Sequence, residues 1–223
     1  MKQTCSFVLV LLASVLVAPA ARSQHEGFWL GIKAGYGLTK PDIDTGLQIL
    51  KGKDASGGLV AGLTGEGYLS ENISIEAELN YSRRQVKNTY YDGGTSGGTY
   101  LGDVTADYTF EYLESAISLK WTSNNDHFRP YGLIGVIFSV PLKIESSNTF
   151  PGTDPYHEDA KRQFARASWA ADVGLGIDYR IGPGTCLLLE GRFLYPLSNS
   201  AASTIDTWKW KDYRLLAGVR FRI

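Results

Sequence analysis

Apolar and polar side chains alternate with a period of two in eight separate segments of this chain, and no helical period of useful length occurs after residue 23. Such alternation predicts β-strands that present one apolar and one polar face. In the clearest segment, Ile73, Ile75 and Leu79 alternate with Glu76 and Glu78. The predicted strands cover residues 28–36, about 57–69, 73–82, about 105–121, about 129–144, 169–180, 187–195 and 213–223.

The connections between the predicted strands alternate in length. Short turns follow the second, fourth and sixth strands, whereas long loops cover about 38–56, about 86–104, about 145–163 and about 196–206. A soluble β-sandwich also alternates apolar and polar residues, but it has no reason to collect every short turn at one end. Outer-membrane barrels do have short periplasmic turns and long extracellular loops. We therefore predict an all-β fold, an eight-stranded antiparallel transmembrane β-barrel connected as an up-and-down meander.

The apolar face of the predicted strands begins or ends in aromatic residues. This placement is typical of the girdles that flank a lipid-facing band at the two membrane interfaces. Backbone groups in lipid must be paired within the protein, so a sheet in this environment has to close on itself. The aromatic positions are Phe28, Tyr36, Tyr81, Trp121, Trp169, Tyr179, Phe193, Tyr195, Tyr213 and Phe221.

The polar face carries charge in the middle of the strands and would line the barrel interior. A charged pore is one interpretation, and a plug of salt bridges is the other. Eight strands leave room only for side chains, and buried charge is tolerated when it is paired, so a balanced set favours the plug. The parity of the fifth strand stays open because residues 134–140 are apolar on both faces. The predicted interior set has seven acidic and seven basic members: Lys33, Glu66, Glu76, Glu78, Glu114, Lys120, Asp172, Asp178, Arg180, Glu190, Arg192, Arg214, Arg220 and Arg222.

Residues 1–20 are predicted to form an export signal, with cleavage as late as residue 23 as the alternative. Lys2 provides a positive start, the apolar run 7–18 follows, and small residues precede the cleavage site. This run is shorter than the ~20 apolar residues of a membrane-spanning helix. Residues 24–223 then form a single barrel domain.

Charge and cysteine content exclude several classes of protein. Lys and Arg number 22 and Asp and Glu 23, a net charge of −1, so no basic excess is available to hold a nucleic acid. The mean hydropathy of −0.13 excludes a polytopic helical membrane protein. Cys5 lies in the export signal, and Cys186 alone can form neither an internal disulfide nor a cysteine metal site.

Five parts of the chain carry short motifs in and around the predicted strands: Gly58–Arg83, Tyr112–Glu114 with Ile117–Trp121, Arg129–Gly132, Gly174–Arg180 and Leu215–Phe221. They resemble strands of the PorT-like outer-membrane β-barrel proteins, and the related OmpX and OmpW types share some of these features. The resemblance covers most of the mature chain and implies an outer-membrane location in a Gram-negative bacterium, but no single activity. Independently of the resemblance, the even number of predicted strands requires both termini to lie in the periplasm. Chains of the PorT-like family often end in Phe, which helps the assembly machinery to recognise the last strand, whereas this chain has its aromatic residue two positions earlier.

No motif predicts catalysis, a cofactor or a bound metal. Residues 94–98 match the G-x-S-x-G pattern of a nucleophile elbow, but the strand and helix that this motif needs do not flank it. His157 lies in a loop beside Glu158 and Asp159, where a divalent cation could bind, although ordinary loop composition explains the group equally well. Three histidines in the chain argue against a lipid-directed enzyme.

The sequence therefore predicts a small, non-enzymatic outer-membrane barrel with a plugged lumen and extracellular loops that contact surfaces or partners. A narrow passage for small or apolar solutes is the alternative, and a lipid-directed enzyme is a further, less favoured one. The expected partners are outer-membrane lipid, the assembly machinery acting on the last strand, and a surface protein or glycan. Aromatic side chains favour such contacts, and the candidate loop contacts are Tyr90, Tyr91, Tyr100, Phe150, Tyr156 and His157.

Overall fold

A computed structural model describes residues 27–44, 50–92, 102–123, 127–149, 156–160, 164, 167–200 and 207–223. This part of the chain contains ten β-strands and no helix long and apolar enough to cross a membrane. The strands are β1 (Phe28–Asp44), β2 (Leu50–Asp54), β3 (Ser56–Tyr68), β4 (Ile73–Asp92), β5 (Gly102–Thr122), β6 (Phe128–Thr149), β7 (Tyr156–Asp159), β8 (Ser168–Gly182), β9 (Thr185–Pro196) and β10 (Thr207–Arg222).

Eight of these strands close into a ring, which confirms the predicted fold class. The ring follows the order β1, β3, β4, β5, β6, β8, β9 and β10, and every neighbouring pair is antiparallel. Pairing of β1 with β10, from Trp29 opposite Arg222 to Asp44 opposite Thr207, closes it. The short β2 and β7 are additions that pair with β4 and β6 outside the ring.

The two ends of the barrel differ in their connections. At one end, the turn end, β3, β5 and β8 finish and β4, β6 and β9 begin after only a few residues of sequence, and there the amide of Ile223 donates to the carbonyl of Phe28 at 2.9 Å. At the opposite end, the loop end, β1, β4, β6 and β9 finish, and more residues of sequence separate each of them from the next strand of the ring. The separations between ring strands thus alternate between short and long, as the spacing of turn residues predicts.

The strands at the loop end are longer than the alternation pattern predicts. Predicted loops begin near residues 38, 86 and 145, but β1, β4 and β6 continue to Asp44, Asp92 and Thr149. The predicted boundaries are wrong because the apolar residues change faces at these points while the backbone stays extended. The apolar residues of each strand move from the outward face to the inward face there, so the alternation on a single face stops before the strand does.

This exchange of faces is clearest on β10. Tyr213 and Leu215 point outward and are exposed, whereas Trp208 and Trp210 point inward and are buried, with the outward Lys209 beside them. On β4 the outward apolar series ends at Tyr81, and on β5 it ends at the register partner Leu113. Because Tyr81 and Leu113 are register partners, the exchange occurs at the same level on β4 and β5.

Below that level, the outward face forms a continuous apolar band. The part of β10 from Tyr213 to Phe221 is about 26 Å long. Because barrel strands are usually tilted, this length corresponds to roughly 20 Å of membrane depth. On β6, Ile134 and Val136 belong to this band, whereas Leu133 points inward, which settles the open parity of the fifth predicted strand. Above the exchange level, the protein instead has an apolar interior and a polar exterior, as a water-soluble β-protein has.

Candidate functional site

The barrel interior holds a dense set of paired charges. In the described residues, eight carboxylates and seven cations are buried there. Taking so many charges out of water is costly unless each has oppositely charged partners, and their arrangement therefore decides whether the lumen is closed. The buried charged residues are Lys33, Glu66, Glu76, Glu78, Arg84, Glu114, Lys120, Arg129, Asp172, Asp178, Glu190, Arg192, Asp212, Arg214 and Arg220.

Twelve of the fourteen predicted interior charges are in that buried set. Arg180 is half-buried, and Arg222 is exposed. Placing Arg222 inside the lumen is therefore wrong. Its strand phase is inward, but it lies at the end of β10, where the ring opens to solvent at the turn end.

A layer near the turn end joins two cations to two carboxylates. The Lys120 ammonium lies 3.0 Å from Asp178 and 3.3 Å from Glu66. Arg220 forms ion pairs with the same two carboxylates, and the Ser74 hydroxyl donates to Glu66 at 2.6 Å. Each carboxylate is thus shared by two cations, and the lumen at this level is filled.

A middle layer is built around Lys33 and Arg192. The Lys33 ammonium lies 2.5 Å from Glu78 and 3.0 Å from Glu76. Arg192 also contacts both glutamates, at 3.2 Å for Glu76, and reaches Asp172 at 2.8 Å. Charged residues from β1, β4, β8 and β9 therefore meet across the lumen. Lys120 of β5 lies 3.8 Å from Glu76 and connects this layer to the one near the turn end.

A third layer, on the loop side, is centred on Glu114. Arg214 donates to both oxygens of this carboxylate, at 2.7 and 3.0 Å. Arg84 also pairs with Glu114 and lies 3.1 Å from Asp212, and the Ser82 hydroxyl adds a hydrogen bond to Glu114 at 2.8 Å. A two-pronged guanidinium contact is a strong and directional interaction, so this layer closes the lumen across its width.

An aromatic cluster fills the interior above the third layer. Trp210 of β10 packs against Phe110 of β5 with ring centroids 5.2 Å apart, and Trp208 packs edge-on against Tyr108 at 5.5 Å. Phe164, from the segment between β7 and β8, packs edge-on against Phe110 at 4.9 Å. The buried members of this cluster are Ile43, Val86, Phe110, Tyr112, Ile144, Ala160, Phe164, Trp208 and Trp210.

Sequence reasoning missed three of the buried charges, Arg84, Arg129 and Asp212. Arg84 continues the inward phase of Ser82 on β4, and Asp212 continues that of Arg214 on β10. Both lie just beyond the predicted strand ends. Extending the alternation of inward and outward residues by one or two positions would have identified them. Arg129 lies at the start of the fifth predicted strand, whose parity was open.

The candidate loop contacts lie in different surroundings from those predicted. Tyr156 and His157 are exposed on β7, a strand rather than a loop. Tyr90 and Tyr91 belong to the end of β4, also a strand. Tyr100, Phe150 and the G-x-S-x-G segment lie outside the described residues.

No group of histidine, cysteine or carboxylate side chains in the described residues has the geometry of a metal site. The two described histidines, His127 and His157, are both exposed and lie at opposite ends of the barrel. The buried carboxylates have lysine or arginine side chains as ion-pair partners. The arrangement therefore supports a structural plug and offers no assembled catalytic group in this part of the chain.

The architecture is shared with solved outer-membrane proteins at low sequence identity. The outer membrane protein OprG from Pseudomonas aeruginosa is 17% identical with a TM-score of 0.50, over 89% of this chain and 97% of that one. The outer membrane protease OmpT from Escherichia coli is 11% identical with a TM-score of 0.51, over 92% and 100%. Outer Membrane Protein W from E. coli is 17% identical with a TM-score of 0.44, over 90% and 100%. At these identities the likeness concerns the fold alone.

Most of the chain also matches a known protein family. No curated protein matches this chain. Residues 22–202 match the family described as outer membrane protein beta-barrel domain. The match takes in most of the chain, including seven of the eight ring strands, and it agrees with the closed ring, the apolar outer band and the charged interior. The chain is a member of this outer-membrane β-barrel family of Gram-negative bacteria.

Proposed function

We propose that the protein is a closed, non-enzymatic outer-membrane barrel that acts through the surface of its loop end. The observation that carries this proposal is the filling of the interior, by three layers of paired charge and then by the aromatic cluster. A continuous water path would have to break ion pairs such as those of Arg192 and Arg214. What is accessible to other molecules is the rim at the loop end.

In this proposal the loop end faces the cell exterior and both termini face the periplasm. Short turns on the periplasmic side and longer connections outside are the usual arrangement in such barrels. Assembly through β10 as the last strand fits the same orientation. We further propose that the protein belongs to the PorT-like group, on the strength of the strand segments that resemble it.

Contact with a surface protein or glycan would use exposed groups at the loop end. Tyr156 and His157 on β7 are exposed, and Glu158 and Asp159 follow them on the same strand. An aromatic ring beside carboxylates can pack against a partner and accept hydrogen bonds from it. These four residues are the described candidates for such a contact.

A second candidate function is a passage for small apolar solutes. It is favoured by the aromatic cluster, whose buried apolar side chains fill the interior on the loop side of the third layer. The pairing of β5 with β6 also shifts register between Glu111 and Tyr112, and Tyr112 belongs to this cluster. An apolar solute entering here would meet the third charged layer beneath it.

Reconstitution of the processed protein in planar bilayers and in vesicles tests the two functions together. We expect no steady single-channel current and no accelerated entry of a small apolar dye into vesicles. The variant W208A, which thins the aromatic cluster, should also be silent in both assays because the charged layers remain. Reproducible ohmic steps that E76Q alters would contradict the closed barrel, and dye entry that increases in W208A would favour the passage.

A further inference from the structure

Three arginines line the mouth of the lumen at the turn end. Arg129 near the start of β6, Arg180 near the end of β8 and Arg222 at the end of β10 all lie in the inward phase of their strands. Arg129 is buried, Arg180 is half-buried and Arg222 is exposed. We call these three residues the arginine mouth, and together they lead from the filled interior to the solvent.

Arg180 lies between the other two members of the arginine mouth. Its amide donates to the carbonyl of His127 at 2.9 Å, two residues before Arg129 on the neighbouring strand. On its other side, β9 pairs with both β8 and β10, so this one strand separates Arg180 from Arg222 and their backbones are about 10 Å apart. The amide of Arg222 in turn donates to the carbonyl of Gly184, in the turn between β8 and β9, at 2.9 Å. Arginine side chains are long enough for all three to contact one small ligand.

The carboxylates nearest to the arginine mouth are already shared by other cations. Asp178, the register partner of Arg129, forms ion pairs with Lys120 and Arg220. Glu66 pairs with the same two cations. The layer near the turn end is thus balanced by itself, and the arginine mouth adds positive charge outside it.

Other carboxylates are too distant or too few to neutralise the arginine mouth. Glu190 of the middle layer lies about 13 Å deeper along β9 than the register partner of Arg180. Glu71 is the only acidic residue among the described turn residues, and it lies between β3 and β4, across the ring from β8 and β9. A terminal carboxylate at Ile223 would neutralise one of the three arginines. The mouth therefore keeps an excess of about two positive charges.

Trp29 of β1 places a buried hydrogen-bond donor at the same mouth. Its backbone lies opposite Arg222, and its side chain, 3% exposed, packs with Tyr68 and Cys186. The indole N–H finds no acceptor in the part of the chain that the structure describes. The side chain of Arg222 also extends towards β1, since a Cβ on Gly27 would lie 3.1 Å from its Nε. A buried donor without an acceptor is costly, so a bound acceptor would stabilise this end of the lumen.

We propose that the arginine mouth binds a phosphate dianion, as inorganic phosphate or as the monoester group of a soluble molecule. Guanidinium groups bind phosphate oxygens through two parallel hydrogen bonds. A dianion matches the excess of two positive charges, whereas a monoanion neutralises only half of it. The indole of Trp29 donates to a phosphate oxygen that the arginines leave open. In the orientation proposed above, this site faces the periplasm, a side of the barrel to which the proposed function assigns no ligand.

Titration calorimetry of the processed protein in neutral detergent micelles tests this proposal. The probes are inorganic phosphate, glycerol 3-phosphate, acetate and dihexanoyl phosphatidylglycerol, a lipid whose headgroup is a phosphodiester monoanion. The pH is about 8, above the second pKa of phosphate esters at about 6. The variant R180Q/R222Q is compared with R83Q/K87Q, which loses two positive charges from exposed outward positions on β4, and W29F removes only the indole donor. The heat-dependent electrophoretic mobility of each variant checks that it is folded.

We expect both phosphate probes to bind the wild type and R83Q/K87Q alike. Binding to R180Q/R222Q should be about 25-fold weaker and binding to W29F about fivefold weaker, since each partly exposed charged contact contributes about fivefold. Equal affinity of R180Q/R222Q and the wild type would overturn the proposal, as would acetate binding as tightly as phosphate. Tighter binding of the lipid than of glycerol 3-phosphate would overturn the soluble ligand in favour of a headgroup. Because the arginine mouth lies outside the three charged layers, its failure leaves the closed barrel intact, and a conducting lumen leaves the mouth intact.

Discussion

Replacement of Arg192 by methionine is expected to destabilise the barrel by about 3–5 kcal/mol, the usual cost of leaving buried charges without their partner. Arg192 bridges Asp172, Glu76 and Glu78 at the barrel axis. Methionine has a similar length and fills the same space, so the loss arises from carboxylates that no longer share a cation. The measurement is the free energy of unfolding in urea of the protein reconstituted in lipid vesicles.

The matched control is R222M, which removes the same type of side chain from the adjacent strand β10. Arg222 is exposed at the turn end, and substitutions of this kind usually change stability by less than about 0.5 kcal/mol. If R192M were as stable as R222M, the carboxylates of the middle layer would have to be neutral or hydrated. The description of the lumen as filled by paired charges would then be wrong.

Replacement of Leu175 by arginine is expected to cost about 2–4 kcal/mol, as charged residues do when they face lipid at the membrane midplane. Leu175 lies midway along β8 between the outward rings of Tyr179 and Trp169, and it is 74% exposed on the outer face. A guanidinium at this depth must reach an interface or draw water into the bilayer. The same unfolding measurement in vesicles reports the loss.

L197R provides the comparison at an interface. Leu197 is exposed at the loop end, just beyond the outward Tyr195, and its amide donates to the carbonyl of Trp169 at 2.9 Å. The cost there should be about 0–1 kcal/mol. Equal costs at Leu175 and Leu197 would mean that the apolar band does not coincide with the bilayer.

The faces of the strands could be read from the sequence because the period of a strand is two and one face must meet lipid. Glu190 and Leu189 illustrate this: the first is buried in the lumen, and the second is half-exposed on the outer face. A slip of one residue would exchange the two side chains. The parity argument therefore predicted most of the interior charges without any structure.

Alternation with apolar residues on the outward face did not predict the reversal of polarity at the loop end. Outward apolar residues end at Tyr213, whereas Trp208 and Trp210 lie in phase with Arg214 and therefore occupy the inward face. The alternation Trp208-Lys209-Trp210-Lys211 was visible in the sequence, with its phase inverted. Reading the inversion as a membrane boundary would have extended β10 and placed the aromatic cluster.

The partners of the buried charges depend on information that a single strand does not contain. Arg192 and Glu78 lie 114 residues apart in the sequence, and they meet only because the ring closes in a particular register. Parity predicts that both point inward, but not that they touch. The balance of charge within each layer is likewise a property of the closed ring.

Cysteine labelling along β10 in intact cells tests the account most directly, because it reports the reversal of polarity and the orientation together. Single cysteines replace Lys209, Leu215 or Arg222 in a C186A background, and a membrane-impermeant maleimide is added before and after the outer membrane is opened. We predict that K209C is labelled in intact cells, that L215C is protected in both conditions by lipid, and that R222C is labelled only after opening. Labelling of L215C, or labelling of R222C but not K209C in intact cells, would contradict the account.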